Sequence, residues 1–273
     1  MAFNWKSFWT RALTALIFVA VMMGGLLWNA EAFFVLFSII HFGCWAEYQR
    51  LISSIDARYR EITSFHRYGV MLAGWSFMIY CSQLSFHAFG WWLCLLFLFV
   101  LPITELLFAK QIELRLIRYS ALGLAYISLP VGLLLLLRNH HIYGYQLPLA
   151  VIFSIWTNDT MAYLVGSMIG KTPLSSISPK KTWEGTIGGI VCAVGAMAGL
   201  AAWLHFPIIH TAALAAIVAI TGTFGDLLES KLKRMAGVKD SGQIMPGHGG
   251  FLDRFDSLLI ATPFAWLYTV IFL

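Results

Sequence analysis

Charge is what this sequence lacks. Only 11% of its 273 residues are charged and 59% are hydrophobic, whereas soluble domains carry about 25% charged residues. The mean hydropathy is +0.77. Apolar runs of about 20 residues, the length that crosses a bilayer core, recur from one end of the chain to the other instead of forming a single anchor. A soluble enzyme with one membrane tail is excluded. Cysteine is scarce as well: Cys44, Cys81, Cys94 and Cys192 all fall in apolar runs, at spacings that match no zinc or redox motif, and read as packing residues. Low-complexity tracts, fixed-period repeats and domain-separating linkers are missing too.

What is present is an all-α, polytopic membrane pattern. Nine transmembrane helices are expected at 11–28, 30–50, 68–86, 89–108, 118–137, 147–169, 184–204, 208–228 and 256–273. With nine spans, 17 of the 18 Lys and Arg residues fall on one side, and Arg138 alone falls on the other. Cytoplasmic loops retain positive charge, so the N-terminus and the basic loops are expected in the cytoplasm and the C-terminus outside. The net charge of +5 follows from that signal and from attraction to anionic headgroups, and requires no nucleic acid. Lys6 and Arg11 ahead of an apolar run, with Ala30-Glu31-Ala32 beyond it, also resemble a cleaved signal peptide. That reading removes one span and explains the charge asymmetry no better.

The acids are unevenly placed. Asp159, Glu184, Asp226, Glu229, Asp240, Asp253 and Asp256 are seven of the thirteen, all within the last 115 residues. Asp159, beside Asn158 near the middle of the sixth span, costs several kcal/mol unless it faces water or a partner, so it is expected to line a polar cavity or to pair with a basic residue of a neighbouring helix. Ser178-Pro179-Lys180-Lys181 reads as a helix start, with Ser178 as N-cap and Pro179 at the first helical position. Two lysines in a first turn oppose the helix dipole, so Lys180 and Lys181 either bind an anion such as phosphate or mark the membrane boundary. Asp226, Glu229 and Lys233 share one helical face and would suit either a site or a salt-bridge ladder. Gly247, Gly249 and Gly250 flank His248, and Asp253-Arg254-Phe255-Asp256 follows. Paired carboxylates, a glycine loop and clustered cations suit a nucleotide with magnesium, although no Walker A sequence is present.

At these residues the chain resembles the phosphatidate cytidylyltransferase family. That family's motif S-x-x-K-R-x4-K-D-x-G-x-x-x-P-G-H-G-G-x-x-D-R-x-D is matched from Ser230 to Asp256, with Met245 where a Leu, Ile or Phe is more usual. Asn158-Asp159-Thr160 and the segment from Ser178 to Gly185 are similar to the family's as well. The resemblance implies a membrane-embedded homodimer that converts CTP and phosphatidate to CDP-diacylglycerol and pyrophosphate, in a bacterial inner membrane. Mg²⁺ is implied, with a monovalent cation such as K⁺ as a further candidate. It marks Asp226 and Asp253 as ligands of one metal ion, with Asp256 and Asp159 next. Lys180, Lys181, Lys233, Arg234, Lys239 and Arg254 would hold phosphates, with Lys233 and Arg254 closest to the chemistry. Asn158, Ser178, Gly247, His248, Gly249 and Gly250 would complete the substrate site. A membrane region at 1–110 would then precede a catalytic region at 111–273 with cytoplasmic loops at 170–184 and 229–256.

A phosphate monoester is largely a dianion at pH 7, so the nucleophile needs little deprotonation and the inventory of cations outranks any acid–base pair. A CTP-dependent polyprenol kinase, or a cytidylyltransferase acting on another phospholipid, would use much of the same site. From another class, an ion-coupled transporter would use Asp159 and Glu229 as proton or Na⁺ carriers. The dense motif at 230–256 and the lack of a visible inverted repeat argue against it.

Overall fold

A computed structural model describes residues 5–108, 114–243 and 249–273. Among these the chain is all-α and contains no strand. The helices are α1 (Trp5–Leu27), α2 (Ala30–Ile55), α3 (Ser64–Cys81), α4 (His87–Phe108), α5 (Leu114–Gly123), α6 (Leu129–Arg138), α7 (Gln146–Ile169), α8 (Trp183–Trp203), α9 (Ile208–Met235) and α10 (Leu252–Phe272). A π-helical turn, Leu124–Ser128, joins α5 to α6 without breaking the helix. Counted as one, those two leave nine helical rods among the described residues, in the places of the nine expected spans.

Among the described residues six helices are long and apolar enough to cross a membrane: Ala30–Ile55, His87–Phe108, Ile117–Arg138, Trp183–Trp203, Ile208–Met235 and Leu252–Phe272. Helix α4 buries only Gly90 and Glu105 and leaves Trp92, Leu98, Phe99, Leu106 and Leu107 open. An apolar surface of that extent is stable only against lipid, and the chain is an integral membrane protein.

The chain divides into two compact units, Met1–Leu135 with Met235–Arg254, and Leu136–Arg234 with Phe255–Leu273. In the first unit α2 is the spine. Its buried residues Phe33, Phe37, Ile40, Cys44, Trp45, Tyr48, Leu51 and Ile52 recur every three or four positions, the spacing of one helical face. The π turn presents Ser128 to that face, where its hydroxyl accepts from Trp45 Nε1 and meets His41 Nε2, both at 2.9 Å.

In the second unit α7 and α8 meet along small residues. A Cβ at Gly185 would lie 2.7 Å from the Ala162 carbonyl oxygen, and one at Gly189 2.7 Å from that of Asn158. Glycines four apart let two membrane helices touch backbone to backbone, which gains dispersion where no hydrophobic effect operates between helices.

Candidate active site

The second unit assembles four of the acids. Gly225 of α9 sits where a Cβ would be 2.4 Å from the carbonyl oxygen of Asp256 and 3.0 Å from Cα of Ser257. Only glycine allows α9 and α10 this approach, and it sets Asp226 beside Asp256. Asp256 is buried, its Oδ1 accepts from the Ser257 amide at 2.6 Å, and its carboxylate lies in the repulsive field of Asp226, Glu229 and Asp159. Two cations balance part of that charge. Lys181 forms a half-exposed ion pair with Asp226, whose other oxygen accepts from Ser230 Oγ at 3.2 Å. Lys233 pairs with Glu229 one turn below it. Glu229 is fully buried, so this is not a solvated surface ladder. Helix α7 contributes Asn158 and Asp159. The Asn158 amide nitrogen donates to Asp159 Oδ1 at 3.3 Å, while Asn158 Oδ1, which is buried, has no hydrogen-bond partner among the described residues. Asp159 is exposed.

The segment ahead of α8 differs from its expected form. The helix starts at Trp183, not at Pro179, and its N-cap is Thr182, whose hydroxyl accepts from the Gly185 amide at 3.1 Å. Ser178 instead closes a turn, its carbonyl accepting from Lys181 N at 3.1 Å. The chain then doubles back, with Leu174 N donating to Lys181 O at 2.7 Å and Trp183 N to Thr172 O at 2.9 Å. Ser-Pro has the composition of a helix start, but the pairing of 172–174 with 181–183 commits the Lys181 carbonyl and the Trp183 amide to the loop. Both lysines therefore precede the helix. Glu184 occupies the first turn that they were expected to fill, where a carboxylate suits the dipole. It accepts from Thr172 Oγ1 at 2.8 Å and from the Lys171 and Thr172 amides at 3.1 and 3.2 Å, and so fastens the loop.

In the first unit the motif runs through Lys239, which is exposed, to Gly249, Gly250 and Asp253. Gly247 and His248 lie outside the described residues, as does Met245. Gly249 has φ +82°, a conformation that favours glycine. Asp253 Oδ2 accepts from the Ser241 and Gly250 amides at 2.9 and 2.8 Å and meets Ser241 Oγ at 2.8 Å. Arg254, in the first turn of α10, and Arg234, in the last turn of α9, are exposed. The sequence motifs do not include one further acid that meets this segment: Glu47 of α2, almost wholly buried, accepts from Phe251 and Leu252 amides at 2.9 Å each and from Ser241 Oγ at 2.7 Å. An acid inside an apolar span is a signal that the sequence does carry.

The carboxylates of Asp226, Asp256 and Asp159 act on one another, and Asn158, bonded to Asp159, keeps a buried oxygen without a hydrogen-bond partner among the described residues; oxygen donors of this kind fit a hard cation such as Mg²⁺. No three His, Cys, Asp or Glu side chains close into a cage among the described residues. Magnesium does not demand one, because it takes one or two carboxylates and completes its shell with substrate phosphates and water.

Comparison with known proteins follows the same lines. The model of the family described as "Cytidylyltransferase family" matches residues 9–272. A phosphatidate cytidylyltransferase of Haemophilus influenzae is 32% identical over 284 aligned residues, 93% of this chain and 96% of that protein. One from Brucella abortus is 33% identical over 266, covering 96% and 93%. The phosphatidate cytidylyltransferase of Bacillus subtilis is 41% identical over 157 residues, a match to 56% of this chain that spans little more than half, 58%, of the relative's own length.

Proposed function

The chain belongs to the cytidylyltransferase family, and we propose that it transfers the cytidylyl group of CTP to phosphatidate, yielding CDP-diacylglycerol and pyrophosphate. The observation that carries this reading is the half-exposed Asp226, with Lys181 upon it, set beside the buried Asp256, in a chain similar to whole phosphatidate cytidylyltransferases from two bacteria. The N-terminus and the loops at 170–184 and 229–256 face the cytoplasm, where CTP is dissolved, and the C-terminus lies on the far side of a bacterial inner membrane. By the resemblance, the protein acts as a homodimer.

A phosphate oxygen of the lipid attacks the α-phosphorus of CTP, forming one P–O bond, while the bond to the β-phosphate breaks and its electron pair leaves with pyrophosphate. No proton must be removed first, because the phosphomonoester is already largely dianionic. The protein's task is to let one polyanion approach another. Asp226 and Asp256, with Asp159, would hold Mg²⁺, and the bound ion supplies charge neutralisation of the triphosphate and of the departing pyrophosphate. Asp253 is assigned to metal binding on its motif alone. Asp226 restrains the Lys181 ammonium, which is thereby offered to phosphate from a fixed position rather than from a freely rotating stem. Glu184 holds the turn that carries Lys180 and Lys181 by accepting from three donors of residues 171 and 172. Arg234, Lys239 and Arg254, all exposed, are assigned to the remaining phosphate charge. Gly249 and Gly250 are assigned to the substrate site on the motif alone, the Gly250 amide being committed to Asp253 Oδ2.

A continuous pyrophosphate assay on purified protein tests the reading. Release is expected only when CTP, phosphatidate and Mg²⁺ are all present. Release without phosphatidate, or none with all three, would refute it.

A further inference from the structure

Glu47 has no place in the reaction as described, yet it is among the most buried acids of the first unit, 2% exposed. A buried carboxylate is costly in an apolar span unless a cation or several hydrogen-bond donors compensate it. No Lys or Arg forms an ion pair with it among the described residues. Its compensation comes from a segment about 200 positions away. Oε1 accepts from Phe251 N at 2.9 Å, and Oε2 from Leu252 N at 2.9 Å and Ser241 Oγ at 2.7 Å. Leu252 opens α10, so Glu47 satisfies amides that the helix itself leaves without partners.

The fit is reciprocal. A Cβ at Gly242 would lie 2.1 Å from Glu47 Oε1 and one at Gly250 2.2 Å from it, so both positions are stripped of side chain where the carboxylate enters. One turn earlier on α2, a Cβ at Gly43 would lie 2.2 Å from the Phe251 ring. Gly43 and Glu47 thus form a socket and a peg, four residues apart on one helical face. Ser241 links the peg to the site, its hydroxyl within hydrogen-bond distance of both Glu47 Oε2 and Asp253 Oδ2, and Asp253 in turn accepts from the Gly250 amide.

We propose that Glu47 is a positioning residue for cytidylyl transfer: it clamps residues 241–243 and 249–253 to α2, and so fixes the Gly249–Gly250 backbone and Asp253 in the geometry that receives the triphosphate. This rests on the cytidylyltransferase reading, so its test has a second arm that is independent of catalysis.

The full-length Glu47→Gln protein, purified in detergent, keeps the side-chain volume but presents an amide NH₂ to groups that donate. Its KM for CTP rises about tenfold or more while kcat falls about threefold at most, since a misplaced binding loop weakens ground-state capture first. Glu47→Asp recovers part of the loss. In the second arm, trypsin cleaves after Lys239 and Arg254, both exposed, about fivefold faster in Glu47→Gln relative to cleavage after Arg58 and Arg60, because local opening is governed by the bonds that hold the segment. Ser241→Ala, a smaller change that removes the hydroxyl lying between the two carboxylates, shifts both readouts the same way by a lesser factor. Wild-type KM and an unchanged cleavage ratio in Glu47→Gln overturn the proposal. So does a kcat loss in step with global melting and an unchanged ratio, which would make Glu47 merely structural. If the wild type transfers nothing, the reaction assignment fails, and the clamp stands or falls on the cleavage ratio.

Discussion

Gly225→Ala adds one methyl group at the tightest contact of the candidate site. The new Cβ would start 2.4 Å from the Asp256 carbonyl oxygen, with the Asp256 carbonyl carbon and Ser257 Cα both at 3.0 Å. These are backbone atoms of a helix and cannot swing aside as a side-chain tip would. Ordinary contact begins at 3.4 Å, so α9 and α10 must part locally by about 1 Å. Overpacking of this kind costs about 1–3 kcal/mol, partly offset by the roughly 0.5–1 kcal/mol by which alanine is the better helix former. The net change in stability is therefore small, and in a chain of this size it lowers Tm by a few degrees. Activity is affected more strongly, because a displacement of about 1 Å at reacting groups costs on the order of 100-fold in rate, and Asp226 and Asp256 lie on the two helices being separated. The assay is lipid labelling from CTP, read beside thermal aggregation of the same preparation. Gly195→Ala and Gly199→Ala are the controls: nothing lies within 4 Å of either new Cβ, and both variants should match or slightly exceed the wild type in stability with full activity. A Gly225→Ala protein with wild-type rate would refute the close α9–α10 approach, and with it the pairing of the two carboxylates.

Asp226→Asn and Asp256→Asn should each lower turnover by about a hundredfold or more without loss of expression, and the double variant should be scarcely worse than either, as expected for groups acting as a unit; multiplicative losses would show that they act apart. Lys181→Ala should raise KM for CTP about tenfold or slow turnover, with only partial recovery in Lys181→Arg, because a planar guanidinium does not reproduce a compact ammonium; unchanged kinetics would reduce Lys181 to a marker of the membrane boundary. Reporters fused near residues 60, 112, 175 and 240 should report cytoplasm and a C-terminal fusion the opposite side; a cytoplasmic C-terminus would overturn the orientation.

How far the sequence discloses this molecule differs between helices and contacts. The nine rods are legible because a bilayer imposes one length and one composition on whatever crosses it. Asp226 and Asp256 stand out as acids of the motif at the ends of the last two spans, but the pairing expected from the motif is Asp226 with Asp253; that Asp226 lies beside Asp256 follows only from the close approach at Gly225. Exact helix starts are less so. Ser178-Pro179 satisfies every local rule for an N-cap, yet the first helical residue is Trp183, since hydrogen bonds between 172–174 and 181–183 outweigh a local preference worth about 1 kcal/mol. Spacing also placed Asp226, Glu229 and Lys233 on one face without revealing that Lys233 would be committed to a buried Glu229. Glu47 was hidden for a different reason. Its partners, Ser241, Phe251 and Leu252, are 194 to 205 positions away, and a single acid in a long apolar helix carries no spacing pattern that names a partner so distant.

The central claim, that the α-phosphorus of CTP is transferred to a lipid phosphate, is tested most directly by two parallel incubations of the purified protein with phosphatidate and Mg²⁺. One contains CTP labelled in the α-phosphate and the other CTP labelled in the γ-phosphate. Cytidylyl transfer places the α label in the lipid and leaves the γ label in pyrophosphate. Entry of the γ label into lipid, with CDP released, would identify a kinase and contradict the account, and label in neither lipid fraction would contradict it as well.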